Sequence, residues 1–234
     1  MNRTNTPLLS ASELHKSFGQ AHALRGVSFA VAPGELVAVM GPSGSGKSTL
    51  LHCLSGVLSP DSGSVVFDGS EFGRLSDAAR SRLRLRRFGF VFQDGQLIPE
   101  LQARENVILP MQLTGVSRRD ALRAADSMLE RLGVAELAKR LPGDMSGGQA
   151  QRVALARALA PSPAVVFADE PTGALDQATG QEVMQVLTAT AEMSGTALVI
   201  VTHDRNVAGW CHRLVEIRDG LIHSDQRIGG GVTA

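Results

Sequence analysis

The stretch that decides the fold runs from Val37 to Leu54 and reads VAVMGPSGSGKSTLLHCL. An apolar strand over residues 36–40 leads into a glycine-rich loop, and a helix is predicted to begin near Lys47. The loop matches the phosphate-binding pattern G-x-x-x-x-G-K-[ST], in which glycines turn backbone N–H groups toward a polyphosphate and the helix N-terminus adds its positive dipole end. The alternative is a glycine- and serine-rich turn that binds nothing, but the strand and helix around the loop favour a nucleotide-binding site.

Two side chains of this loop have predicted chemical roles. Lys47 is expected to reach the β- and γ-phosphates, and the Ser48 hydroxyl is expected to bind Mg²⁺. The other predicted nucleotide contacts come from the loop and the first helical turn: Gly41, Pro42, Ser43, Gly44, Ser45, Gly46 and Thr49.

Composition limits the class of protein. The 234 residues suffice for one large domain with a sizeable core, or for a core with an inserted subdomain. Lys and Arg together number 23, as do Asp and Glu, so the chain has no general attraction for a polyanion, which disfavours a nucleic-acid-binding protein. Cys53 and Cys211 lie far apart and predict neither a disulfide framework nor a metal site. We expect a reducing compartment, with Cys53 as a buried free thiol.

No segment is predicted to cross a membrane. The stretch MNRTNTPLLSASELH at residues 1–15 lacks the apolar part of a signal peptide. The longest apolar runs, such as 164–168 and 197–201, have strand length, whereas a spanning helix needs ~20 residues. We therefore expect a soluble chain that reaches a membrane only through a partner. The glycines at 229–231 predict a disordered tail.

Strand-forming and helix-forming segments alternate along the chain. Residues 8–31 show the alternation of antiparallel strands, and residues 76–87 can form a helix. The five arginines of that helix favour a solvated basic face over a phosphate or lipid contact. From 97 to 141 helices predominate: the stretch Ser117-Arg118-Arg119-Asp120 resembles a capping box at the start of one of them, and Gly133 ends it. Its apolar stripe is expected in the core: Leu122, Ala125, Met128, Leu129 and Leu132.

The predicted fold class is α/β. It comprises a P-loop NTPase core with a mostly parallel sheet, an N-terminal antiparallel β layer and an inserted α-helical subdomain. The chain is predicted to be one domain, in which residues 1–93 and 156–234 form a RecA-like core with the β layer. Residues 94–155 are predicted to form the helical subdomain.

Several predicted strands end in polar residues, in the strings FVFQ, VVFADE and VIVTHD. In a mostly parallel sheet the carboxyl ends of the strands share one edge, where ligands bind. Each of these residues alone is more often structural, but beside a phosphate loop we expect the group to converge on the γ-phosphate: Gln93, Asp169, Glu170 and His203.

Taken together, the motifs resemble those of the ATP-binding subunit of an ATP-binding-cassette (ABC) transporter. GPSGSGKST, VFQ, SGGQ, VVFADE, ALD and VTHD occur in that family's order and approximate spacing over nearly the whole chain, and SGGQ is highly specific to this class. The strings RRFGFVFQ, ENVILPM and ADEPTGALD are most similar to the branch of macrolide exporters, lipoprotein-releasing ATPases and antimicrobial-peptide exporters. The resemblance implies an ATPase that uses ATP and Mg²⁺.

The resemblance also implies a role for each matching residue. Asp169 would hold Mg²⁺ directly or through water, and Glu170 would polarise the attacking water. His203 would contact the γ-phosphate and support Glu170. Gln93 would bind Mg²⁺ and sense the water, and would pass that state to the helical subdomain.

The chain departs from the family pattern at three positions. Phe18 would stack on adenine where the family usually has Tyr, and stacking needs only an aromatic face. The alternative for Phe18 is a core aromatic. Met145 precedes the SGGQ signature in place of the commoner Leu, a volume-conserving change. Ala150 follows the signature where this branch usually has a polar residue, which could weaken a contact there.

The SGGQ signature is predicted to open a helix and so to form a second anion site. In the family the helical subdomain holds this site away from the phosphate loop, so it would serve ATP bound to another copy. The implied assembly is a head-to-tail dimer around two ATP molecules, formed with itself or with a similar ATPase. The residues at this interface would be Ser146, Gly147, Gly148, Gln149 and Asp176.

The family docks a short helix of a separate membrane permease on the loop at 94–106. Leu97, Ile98 and Leu101 could line that groove, or could pack within the helical subdomain. The chain is therefore expected to be cytoplasmic and peripheral to the inner face of the cell membrane, held there by the permease.

Three functions fit these features. The first is an ATPase that drives a permease in export or extraction of a substrate. The second is a mechanotransmitting or sensing ATPase that drives a membrane partner without moving cargo. The third, a cassette ATPase acting on DNA or ribosomes, is disfavoured because the chain has no coiled-coil, zinc or tandem-cassette additions and its charge is balanced.

Overall fold

A computed structural model describes residues 6–229, so Gly230 and Gly231 of the predicted disordered tail lie outside the described residues. The strands in chain order are β1 Leu9–Phe18, β2 Ala21–Val31, β3 Leu36–Met40, β4 Ser62–Phe67, β5 Ser70–Glu71, β6 Phe88–Val91, β7 Val165–Asp169, β8 Ala197–Thr202, β9 Arg213–Arg218 and β10 Leu221–Arg227. The α-helices are α1 Lys47–Leu54, α2 Asp77–Arg87, α3 Ala103–Leu113, α4 Arg118–Arg131, α5 Gly147–Leu159, α6 Gln177–Ser194 and α7 Arg205–Ala208.

The chain divides into two compact units, Met1–Ser81 with Ala197–Ala234 and Arg82–Thr196. All of residues 94–155 fall in the second unit. The boundaries predicted for the helical subdomain stay a prediction.

The first unit contains an antiparallel layer and a parallel one. The antiparallel sheet has the order β2-β1-β4-β5, which confirms the predicted N-terminal β layer. In the other layer β3 lies between β8 and β9 and is parallel to both, while β10 is antiparallel to β9. Every residue of β3 and β8 is buried, because a central parallel strand has both faces covered and so reads as a continuous apolar run.

The second unit combines a parallel strand pair, β6 and β7, with helices. The helices α3, α4 and α5 pack on one another, and α5 also packs against β6 and α6. Ala125, Leu129 and Leu132 of the predicted stripe are buried, whereas Leu122 and Met128 are half-buried. Together with the sheets of the first unit, these elements confirm the predicted α/β fold with a helical segment.

Ser117 caps α4, but it does not form a capping box with Asp120. The Asp120 carboxylate accepts from the Ser117 hydroxyl at 2.7 Å, whereas in a capping box it would accept from the backbone N–H of Ser117. The strand FGFVFQ ends at Val91, two residues before Gln93. Both cysteines are free and buried, and burial raises the pKa of the Cys53 thiol to about 11, so Cys53 is the buried thiol that was predicted.

Candidate nucleotide-binding site

The phosphate loop joins β3 to α1, and its backbone requires glycine. Gly44 has φ +78° and Gly46 has φ +102°, a region in which only glycine avoids a steric cost. Gly46 is the N-cap of α1 and provides no side-chain hydrogen bond to the helix. The first N–H groups of a helix lack partners within the helix, so those of α1 can face a ligand.

The backbone of neighbouring strands packs closely against this loop. A Cβ atom on Gly46 would lie 2.3 Å from the Ala23 carbonyl oxygen, and one on Gly41 would lie 2.1 Å from the Ile217 carbonyl oxygen. The Ser45 carbonyl accepts a hydrogen bond of 3.1 Å from the Gly220 N–H. The backbone of β2 and the β9–β10 hairpin therefore fix the loop in place, and Pro42, Ser43 and Gly44 remain at its exposed outer edge.

Polar groups inside the loop fit a phosphate ligand. Lys47 is only 8% exposed, and its ammonium donates to the carbonyl oxygens of Gly41 (2.8 Å) and Pro42 (2.9 Å). Phosphate oxygens would offer that ammonium charged acceptors, which bind roughly twice as strongly as neutral ones. The Ser45 hydroxyl is buried and has no hydrogen-bond partner among the described residues. An orphaned polar atom beside a buried cation is expected of a site built for an oxygen-rich anion.

Two further predicted residues lie near this loop. Ser48 is the second residue of α1 and is exposed, so its hydroxyl is accessible to a metal ion. His203 follows β8 and lines a cavity of about 240 Å³ together with Gly41 and Pro42. The same cavity is lined by three charged side chains, those of Arg205, Glu216 and Arg218.

Phe18 ends β1 and has an exposed aromatic ring. Its side chain is 54% exposed, so the alternative of a core aromatic is wrong. The Lys16 ammonium lies 5.8 Å from the centroid of the ring. Stacking of Phe18 on adenine stays a prediction.

The acidic pair of the second unit lies at the end of β7. Asp169 is the last residue of the strand, and Glu170 follows it with φ +47°. A non-glycine residue in this region is strained, and such strain often occurs at functional sites. The Gly173 N–H donates to the Glu170 carbonyl at 3.0 Å and closes a turn.

Gln93 lies against that turn. It is exposed, and a Cβ atom on Gly173 would lie only 3.0 Å from its side-chain nitrogen. Since β6 pairs with β7, the second unit brings Gln93 next to the turn that carries Glu170. This part of the predicted convergence lies entirely within one unit.

The sequence analysis missed Gln151. Its side chain is 2% exposed and donates from Nε2 to the carbonyl oxygens of Phe92 (3.0 Å) and Pro171 (2.7 Å). One signal was present: Gln151 shares a helix face with Leu155 and Ala158, which are both buried, and a polar residue on an apolar face needs buried partners.

The start of α5 carries the SGGQ signature and faces solvent. Ser146 is the N-cap: its hydroxyl accepts from the Gln149 N–H at 3.3 Å, and the Gln149 side-chain oxygen accepts from the Ser146 N–H at 3.0 Å. This reciprocal pair is a capping box. Ser146 and Gly147 are exposed, while a Cβ atom on Gly148 would lie 2.4 Å from the Thr179 methyl group.

Asp176 caps α6. Its carboxylate accepts from the hydroxyl of Thr179 at 2.6 Å and from the N–H of the same residue at 3.1 Å. These hydrogen bonds hold the pKa of Asp176 below its usual value, and the bond from the Thr179 hydroxyl has the largest effect. Asp176 therefore presents an exposed anion near the start of α5, since Leu175 beside it lies 3.6 Å from the Cβ position of Gly147.

Two further features are absent from residues 6–229. No group of three or more His, Cys, Asp or Glu side chains in this range could hold a metal ion. None of the helices placed there has both the length and the apolar character needed to cross a bilayer.

The strand, glycine loop and helix around a buried lysine define a P-loop nucleotide-binding protein. The family model described as "ABC transporter" matches residues 24–173. The lipoprotein-releasing system ATP-binding protein LolD 2 of Caulobacter vibrioides is 44% identical over 218 residues, which cover 92% of this chain and 96% of the relative. The macrolide export ATP-binding/permease protein MacB of Syntrophobacter fumaroxidans is 46% identical over 204 residues, which cover 86% of this chain but only 28% of that protein.

A solved structure shows the same fold. The dimeric ATP-binding cassette MJ0796, bound to ADP and Pi, superposes with a TM-score of 0.86 at 37% identity over 95% of this chain and 100% of its own length. The chain thus belongs to the ABC transporter family, and it is an ATPase. The predicted family, branch and enzyme class are confirmed.

Proposed function

We propose that two copies of this chain, or one copy and a similar ATPase, close head-to-tail around two Mg–ATP molecules and drive a separate membrane permease. The permease would export a substrate or extract it from the membrane. The single observation that carries the proposal is the exposed, glycine-rich start of α5, a helix N-terminus that can bind an anion. The dimeric state of the MJ0796 cassette supports this assembly.

In the first unit, ATP binding is assigned to the phosphate loop. Backbone N–H groups of the loop and of the first turn of α1 cradle the phosphates, and Lys47 leaves its two carbonyl acceptors to bind the β- and γ-phosphates. Ser48 would hold Mg²⁺, which would neutralise part of the phosphate charge. Phe18 stacks on adenine, and His203 contacts the γ-phosphate.

In the second unit, hydrolysis is assigned to the ends of β6 and β7. Asp169 holds Mg²⁺ directly or through water. Glu170, which follows β7 in a left-handed backbone conformation, accepts the proton of the attacking water. Gln93 would contact Mg²⁺ and sense the attacking water, and would pass that state to the helical subdomain.

The signature supplies its contacts to the other copy. Ser146, Gly147, Gly148 and Gln149 bind the γ-phosphate held by the partner's loop, and Asp176 lines the same interface. Phosphoryl transfer depends on positioning and charge neutralisation, so an open dimer hydrolyses ATP poorly. ATP binding closes the dimer and hydrolysis reopens it.

The permease is assigned to the loop after Gln93. Ile98 is 36% exposed in this loop, whereas Leu97 and Leu101 are half-buried. One relative named as an ATP-binding/permease protein is matched over only 28% of its length, which supports a permease outside the matched region. We place the chain on the cytoplasmic face of the cell membrane through that partner.

The test of this function is isolation of the tagged chain from detergent-solubilised membranes, with identification of what travels with it. We expect a membrane protein, released when Ile98→Arg is introduced into the tagged chain. A copurifying ribosome or DNA, with no membrane protein, would overturn the transport role.

A further inference from the structure

Gln151 joins the two segments that carry the proposed hydrolytic residues. We infer that it is a positioning residue for hydrolysis: its carboxamide holds the chain next to Gln93 and the chain next to Glu170 at one distance. This inference rests on the proposed function and assigns a role to a residue outside the recognised motifs. Gln151 itself would touch neither ATP nor the attacking water.

The contacts place Gln151 between neighbours of both residues. One nitrogen atom donates to the Phe92 carbonyl at 3.0 Å and to the Pro171 carbonyl at 2.7 Å. Phe92 directly precedes Gln93, and Pro171 directly follows Glu170. The separation of these two segments is therefore limited by the reach of a single NH₂ group.

Strand pairing does not hold these positions. The paired residues of β6 and β7 end at Val91 and Ala168, so both carbonyls lie beyond the last rung of the ladder. Pro171 is buried, and a buried carbonyl needs a hydrogen-bond donor. Gln151 provides that donor at the point where the strands stop fixing the backbone.

Arg157 anchors the same segment a second time. It lies on α5, and its guanidinium donates to the carbonyl oxygens of Gly95 (2.8 Å) and Gln96 (2.6 Å). Gly95 and Gln96 have φ +69° and +43°, so this turn is tight and strained. Two side chains of α5 thus hold residues 92–96, and only Gln151 also reaches the turn after Glu170.

The main test is Gln151→Glu, which keeps the shape but replaces the donor by an acceptor that faces two carbonyls. We expect kcat for ATP hydrolysis to fall roughly 10- to 100-fold, because a misplacement of about 1 Å can cost that much in a catalytic geometry. The affinity for a non-hydrolysable ATP analogue stays unchanged, since the phosphate loop is not altered. Gln151→Met, which has no donor and no buried charge, has the same expected result and replaces Gln151→Glu if that variant does not fold.

The matched control is Thr196→Val. Its hydroxyl is also buried in the second unit and also donates to a proline carbonyl, that of Pro163 at 3.0 Å. We expect Thr196→Val to change the melting temperature but to leave kcat unchanged. Equal kcat losses in Gln151→Met and Thr196→Val would show a general packing effect and would overturn the inference.

The outcomes separate this inference from the proposed function. A folded Gln151→Met protein with wild-type kcat, beside a Glu170→Gln protein with none, would overturn the role of Gln151 alone. A loss of kcat accompanied by an equal loss of analogue affinity would also contradict a positioning role. A wild-type chain that binds ATP and never hydrolyses it would overturn the proposed function itself.

Discussion

Two helix N-termini of this molecule begin with glycine-rich loops, but they are completed in different ways. The N-cap of α1 is Gly46, whose left-handed backbone offers the helix no side-chain hydrogen bond. The N-cap of α5 is Ser146, which forms a reciprocal capping box with Gln149. The loop before α1 is wedged against neighbouring backbone, whereas the start of α5 is exposed.

The difference shows how each anion site is stabilised. At α1 the open N–H groups and the buried Lys47 ammonium need an anion to complete their hydrogen bonds. At α5 the capping box satisfies the N–H groups of Ser146 and Gln149 without a ligand and leaves those of Gly147 and Gly148 for an anion, so the helix start can stay ordered in an exposed position. Under the proposed function, the first site would bind ATP within one copy and the second would recognise ATP held by the other copy.

The largest expected effect is that of Gly46→Ala. The new Cβ would lie 2.3 Å from the Ala23 carbonyl oxygen. The alanine would also have to adopt φ +102°, which L-residues rarely do. We expect a loss of roughly 3 kcal/mol or more in the free energy of unfolding, from strain and overpacking together. Chemical denaturation measures it. Gly44→Ala is the control: it shares the positive φ but meets no atom within 4 Å, so a loss as large as that of Gly46→Ala would contradict the clash.

The next effect is on ATP binding. Lys47→Ala removes the buried ammonium, and we expect the affinity for ATP to fall by about 10- to 100-fold, the range expected for losing charge-assisted hydrogen bonds of ~1.5–3 kcal/mol. Isothermal titration calorimetry measures it on the isolated chain. Lys139→Ala, at an exposed lysine of the second unit, should bind ATP as the wild type does. If Lys47→Ala and the wild type had equal affinities for ATP, the proposed role of the phosphate loop in ATP binding would be contradicted.

Ser146→Ala tests the second helix start. Loss of the cap should lower the free energy of unfolding by about 1 kcal/mol. Ser117→Ala is a matched control, because Ser117 caps α4 through the same kind of bond to an N–H three residues on. Both variants should lose similar stability, but only Ser146→Ala should lower ATP turnover while ATP affinity is retained. If both variants lost ATP turnover, Ser146 would be shown to act only as a structural helix cap.

The smallest expected effect distinguishes the two glycines of the signature. Gly147→Ala meets only Leu175 at 3.6 Å and has no positive φ, so we expect it to stabilise the chain by about 0.5 kcal/mol. Gly148→Ala would place a methyl group 2.4 Å from that of Thr179 and should destabilise the chain. Thermal melting of the two variants checks the opposite signs. A shared sign would mean that α6 does not press against the start of α5.

Local patterns predicted the elements that depend on neighbours in sequence. The strand, loop and helix around Lys47 follow from an apolar run, a glycine motif and a helix start, and the structure has them at the predicted residues. The Ser117 cap and the Gly133 stop of α4 are equally local. Each of these signals lies within a few residues of what it determines.

The parts that escaped prediction depend on distant contacts. Gln151 and Phe92 are 59 residues apart, so no spacing rule connects them. The left-handed backbone of Glu170 is imposed by the turn that closes at Gly173, and Glu is not a residue type that signals it. The wedge between Gly46 and Ala23 likewise requires the folded β2 strand. The roles assigned to the individual site residues stay predictions.

The most direct measurement of the central claim is the mass of Glu170→Gln by light scattering, with and without Mg–ATP. This variant should bind ATP without hydrolysing it, and so should change from one copy to two when Mg–ATP is added, while Glu170→Gln combined with Ser146→Arg should bind ATP and stay at one copy. A single-copy mass for Glu170→Gln with ATP bound would contradict the shared site.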